Sequence, residues 1–96
     1  MKIKNIIQEI GYSQVQSKRV VTNGEQQVNL ISLEKGCEIP GHTSTKDATI
    51  VILEGKLLFK IHGKNHELET LDTYSFGANE THALTAIEDT KILLVQ

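Results

Sequence analysis

From Arg19 onward the chain is cut by turn residues into short β-prone segments, and this punctuation constrains its fold more than any other feature. The segments are 19–22, 27–34, 49–53, 57–61, 66–68, 73–76, 82–87 and 91–95. Between them stand Asn23-Gly24, Lys35-Gly36, Glu54-Gly55, His62-Gly63-Lys64-Asn65, Gly77-Ala78-Asn79 and Glu88-Asp89, which supply the positive-φ positions and side-chain-capped turns that reverse a strand. Many short strands with close, regular turns specify an all-β sandwich or barrel rather than an α/β fold.

Within 57–61, Leu57, Phe59 and Ile61 share one face and Lys60 lies on the other, as in a half-buried strand. Ile50-Val51-Ile52-Leu53 and Ile92-Leu93-Leu94-Val95 are apolar on both faces. The chain has no long helix to cover an outer face, so the N-terminal segment or a second subunit is expected to do so. Ile3, Ile6, Ile7 and Ile10 recur at the spacing of an amphipathic helix, and Gly11 stands where it would stop, which predicts a helix over 3–10. Two turns are marginal alone, so this helix should dock on the barrel. The expected organisation is a helix and lead-in over 1–18 and a barrel over 19–96.

At 96 residues the chain has room for one core. A domain this small hides only roughly 60–65% of its unfolded surface, which favours a homodimer. Ten basic residues, one of them Arg, are scattered among 12 acidic ones, so no nucleic-acid footprint is expected. No apolar run approaches membrane-spanning length and no signal peptide is legible, so the expected site of action is cytoplasmic, with no membrane partner. Cys37, the one cysteine, reads as a small apolar filler. His62 in a turn and His66 beside Glu67 read as solvated surface residues, Tyr74, Phe76 and Leu84 as core, and Glu67 and Glu69 as charges guarding a sheet edge.

The stretch from Gly36 to Gly55, with Pro40-Gly41-His42-Thr43-Ser44-Thr45-Lys46-Asp47-Ala48 inside it, resembles the first motif of the cupins, a Gly, five residues, His-x-His, a Glu and a closing Gly. Gly36, His42 and Gly55 fit, while Ser44 stands at the second histidine and Ala48 at the glutamate. Leu71 to His82 looks like a worn second motif in which Asp72 and His82 match, and Gly55 to Leu68 like the family's hairpin between the two motifs. The resemblance covers roughly residues 27 to 96 and points to small single-domain bacterial cupins with a degenerate metal motif. It implies a cupin-type double-stranded β-helix, a jelly-roll-like barrel whose mouth holds the functional residues.

In such a barrel His42, Ser44 and His82 are the expected ligand-binding residues. Imidazoles on adjacent strands offer neutral nitrogens to a metal, but His42 and His82 are two donors where metal-binding members have three or four. No tightly bound cofactor is expected, at most a weakly held divalent transition metal on His42 and His82. Asp47 precedes the lost glutamate by one position, a shift that turns a strand side chain to the opposite face. The expected function is binding of a small organic molecule by a non-catalytic sensor or carrier. The alternative is a small enzyme of isomerase, decarboxylase or oxygenase type using His42 and His82, and the fold does not select between them.

Overall fold

The computed structural model describes residues 6–96 and is built almost wholly of antiparallel strands. They are β1 (Val15–Asn23), β2 (Gln26–Leu33), β3 (Glu38–His42), β4 (Ala48–Glu54), β5 (Lys56–Ile61), β6 (Lys64–Glu69), β7 (Thr73–Phe76), β8 (His82–Ala86) and β9 (Thr90–Val95). One sheet has the order β1-β2-β9-β4-β7 and the other β3-β8-β5-β6. The non-consecutive neighbours make a jelly-roll-like barrel, within the all-β class that the turn pattern predicts and of the kind that the cupin resemblance implies.

The core lies between the sheets and is set by strand parity. Ile31 and Ile52 both oppose Ile92 in the larger sheet, while Leu57 opposes Ala86 and Leu68 in the smaller. Phe59, fully buried, bridges the layers, its ring centroid 4.9 Å from that of Tyr74 and 5.4 Å from that of Phe76. Leu84 is buried in the same cluster, so the expected core assignment of these residues holds.

Two strands depart from the sequence reading. β1 begins at Val15 rather than Arg19, with Val15 to Lys18 paired to Leu33 to Leu30, so the barrel reaches back into the predicted lead-in. Gln16, Ser17 and Lys18 are polar because β1 is an edge strand with little to bury, and they carry no apolar alternation to read. β3 is absent from the sequence reading because Pro40 and Gly41 look like a loop. It is an edge strand with a register shift between Ile39 and His42, the setting in which a strand tolerates proline.

The N-terminal segment docks on the outer face of the larger sheet. Its helix α1 is described over Ile6–Glu9, ending one residue before the expected Ile10, and residues 3–5 of the expected span lie outside the described residues. Ser32 Oγ donates to the Gly11 carbonyl at 2.9 Å. Lys91 Nζ donates to the Ile7 carbonyl at 2.8 Å, lies 3.3 Å from Glu54 Oε1 and stands over the Tyr12 ring at 5.2 Å. Leu30, fully buried yet outside the central cluster, occupies this outer face beside Leu93. The long-chain ammonium of Lys91 is thus buried because backbone and carboxylate oxygens receive it. Farther along the same face Val51, Leu53, Leu93 and Val95 stay half-exposed.

Candidate functional site

The register shift in β3 creates the site. Ile39 pairs with Leu84 and His42 with His82, so two residues three apart on β3 oppose two residues two apart on β8. Leu84 and His82 share the inward face, and the extra residue in β3 re-aims His42 to that face as well. The two imidazoles meet with ring centroids 4.2 Å apart. His82 is 5% exposed and packs against Phe76 at 4.4 Å and Phe59 at 5.8 Å, whereas His42 is exposed at the rim.

Hydrogen bonding fixes which nitrogen of each ring is protonated. His42 Nδ1 lies 3.0 Å from the Pro40 carbonyl and His82 Nδ1 lies 2.8 Å from the Glu80 carbonyl. A carbonyl only accepts, so each Nδ1 carries the hydrogen and each neutral ring keeps its Nε2 lone pair. Neither Nε2 has a hydrogen-bond partner among the described residues. The only buried polar side-chain atom left without a partner there is the Tyr12 hydroxyl, so His82 Nε2 reaches solvent. Burial holds the His82 pKa below its ordinary 6.5, and the Glu80 carbonyl opposes this while His42 reinforces it.

The rings border an open cavity of about 460 Å³ at the barrel mouth. Phe76, Leu94 and Ala48 give it an apolar lining, and Gln27, Gln96, Thr43, Thr45 and Ser44 give it polar groups. Ser44 is therefore beside both histidines, but its hydroxyl is also occupied locally. It lies 2.9 Å from the Lys46 carbonyl and 3.2 Å from Gln96 Oε1, and it accepts from Lys46 N–H. Gln27, Gln96 and Leu94 were not singled out from sequence. The inward parity of Gln27, Asn29, Ile31 and Leu33 on β2 is the signal that points to the first of them.

Asp47 faces away from this cavity, as the one-residue shift implies, and accepts a hydrogen bond from Ala78 N–H at 2.9 Å. Beside it Glu80 accepts from Gly77 N–H and from His62 Nε2 at 2.6 Å, in a neighbouring pocket that shares Ala48 and Phe76 with the mouth. The Gly77 bond first, and His62 second among the stabilising contacts, hold the Glu80 carboxyl below its usual range. These carboxylates fasten the 77–80 loop whose far end leads into His82. His62 is exposed, as expected, but it serves as a tie to that loop.

His66 differs from expectation: it is half-buried, not fully solvated. It opposes Phe59 and therefore faces inward, with its ring 5.0 Å from Tyr74. Cys37 is half-buried and outside the lining of the mouth.

The donor set does not fit a metal centre built on three or four protein ligands. His42 and His82 contribute two nitrogens, Ala48 contributes none, and Asp47 is turned away. Among the described residues no group of three His, Cys, Asp or Glu side chains is placed to hold an ion. Nor is any described helix long and apolar enough to cross a membrane.

No curated protein matches the sequence significantly. A conserved protein of unknown function from Streptococcus pyogenes is similar at 31% identity over 98% of this chain and 84% of its own, with a TM-score of 0.86. A cupin superfamily protein from Desulfitobacterium hafniense shares the fold at 22% identity, covering 92% of this chain and 81% of its own, with a TM-score of 0.84. A cupin-2 domain protein from Shewanella frigidimarina does so at 18% identity, covering 100% and 92%, also with a TM-score of 0.84. Residues 29–95, from within β2 to the end of β9, match the family described as Cupin domain, and the chain belongs to that family.

Proposed function

We propose that this cupin domain binds a small organic molecule in the mouth formed by His42, Ser44, His82 and the apolar lining beneath them, as a sensor or carrier without catalysis of its own. The observation that carries this reading is the pair of imidazoles held by backbone carbonyls with both Nε2 lone pairs unspent. Such a pair recognises hydrogen-bond donors. It lacks the carboxylate partner that orients and strengthens a catalytic histidine base.

The test is a saturation-transfer screen of small metabolites followed by recovery of the hits. Bound compounds should compete for one site and return chemically unchanged. His42→Ala removes an exposed ring, so the melting temperature should stay within about 2 °C while binding weakens on the order of tenfold. Hits that bind His42→Ala as well as the native protein would remove the mouth from consideration. Conversion of a hit during incubation would make the domain an enzyme.

We also propose that the protein works as a homodimer, supported by the half-exposed apolar residues Val51, Leu53, Leu93 and Val95 on the outer face of the larger sheet. Light scattering at micromolar concentration should give twice the chain mass, and Leu93→Asp should give folded monomers. A native protein that is monomeric at every concentration would end this proposal.

A further inference from the structure

The sign of the charge in the mouth narrows what can bind there. Both Nε2 atoms are acceptors, on rings whose centroids are 4.2 Å apart, so a ligand bridging them must bring donors. The one lysine in the lining, Lys46, has its ammonium donated to the Glu25 carbonyl at 2.9 Å. Arg19 is outside the lining, with Nε given to Asn29 Oδ1 at 2.6 Å and Nη1 to Thr22 at 3.3 Å. An anion entering this mouth would lose hydration against Phe76 and Leu94 and meet two lone pairs, while the ammonium of Lys46 is drawn to the Glu25 carbonyl, a residue outside the lining.

We infer that the ligand is an uncharged, hydroxyl-bearing small molecule, one that donates hydrogen bonds to His42 Nε2 and His82 Nε2 and lays an apolar side on Phe76 and Leu94. This rests on the mouth being the binding site. A hydroxyl meets an imidazole lone pair without bringing in a charge, and the amides of Gln27 and Gln96 can donate or accept as the remaining polar groups require. A cavity of about 460 Å³ suits a single ring with its substituents.

Two probes that share a ring separate the classes. Resorcinol carries two O–H donors, and benzoate carries an anion. Protein with ¹⁵N-labelled histidine is titrated with each while the ring nitrogens are observed by NMR at neutral pH. Before addition, Nδ1 of both His42 and His82 should read as protonated and Nε2 as bare. Resorcinol should move both Nε2 resonances and bind at least about tenfold more tightly than benzoate, and His42→Ala should remove that preference. Rings protonated at Nε2, or benzoate binding as well as resorcinol at the same resonances, would overturn the inference while leaving the mouth as a binding site. If neither probe moves either ring up to its solubility limit, the mouth itself fails as the site and both readings fall together.

Discussion

Replacing Gly55 with alanine is expected to destabilise the domain by about 3–5 kcal/mol, combining overpacking against backbone with a disallowed backbone angle. Gly55 joins β4 in one sheet to β5 in the other and has φ of 100°. A Cβ there would fall on the Asp89 carbonyl oxygen, 2.6 Å from Thr90 Oγ1 and 2.7 Å from Thr90 Cα. These atoms cannot swing away. Thr90 is fully buried, and its hydroxyl is bonded to the Lys56 N–H and to the carbonyls of Lys56 and Glu88 at 3.2, 3.0 and 2.7 Å. For a domain of this size the melting temperature should fall by about 15 °C or more, if the variant folds at all. Gly24→Ala is the control, since φ is also positive at 64° but a Cβ there meets nothing within 4 Å. It should cost about 1 kcal/mol. Equal losses for the two variants in denaturant titrations would show that the sheet crossing is not sterically closed.

The double substitution Ser44→His and Ala48→Glu is expected to turn the mouth into a transition-metal site. The unmodified protein, with two imidazole donors, should yield no more than a chelator-labile, substoichiometric ion. Ala48 is 4% exposed and lines the same cavity as His42, Ser44 and His82, so the new groups would join the existing pair. Calorimetry should show affinity for Zn²⁺ or Ni²⁺ rising on the order of a hundredfold, about 2.8 kcal/mol at 1.4 kcal/mol per decade. Stability offers an independent reading. A carboxylate at position 48 is poorly solvated without metal, and Ser44 would give up its bonds to Lys46 and Gln96, so the variant should melt lower when metal-free and recover on adding the ion. His82→Ala should abolish both gains. Tight stoichiometric metal in the unmodified protein would refute the incomplete donor set, and a folded double variant with no added affinity would show that positions 44 and 48 do not converge on the histidines.

Much of the barrel was legible along the chain because its information is local. Turn residues mark where strands end, and period-2 alternation marks which side of Leu57, Phe59 and Ile61 is buried. What is lost to reading has its stability from elsewhere: the first part of β1, Val15 to Lys18, largely polar on a sheet edge, and β3, interrupted by Pro40. The same distinction governs the site. His42 and Ser44 are picked out by the resemblance of Gly36 to Gly55 to the first cupin motif and His82 by that of Leu71 to His82 to the second, and the first motif also shows the missing donors at 44 and 48.

By itself, then, the sequence determined an all-β domain, the positions of most of its turns, the apolar set that fills it and the two histidines that face one another. Only the tertiary structure decided that Ser44 is tied to Gln96, that Asp47 and Glu80 hold the 77–80 loop, that His66 turns inward and that Lys91 fastens the N-terminal segment through the Ile7 carbonyl. It also decided the tautomers, through carbonyls two residues from each histidine whose direction depends on the bend of β3 and the 77–80 loop. Composition and periodicity record what a residue contributes to its own strand. Which atom meets which across two sheets is set by register, and a shift of one residue in β3 is enough to place His42 inside the mouth or outside it.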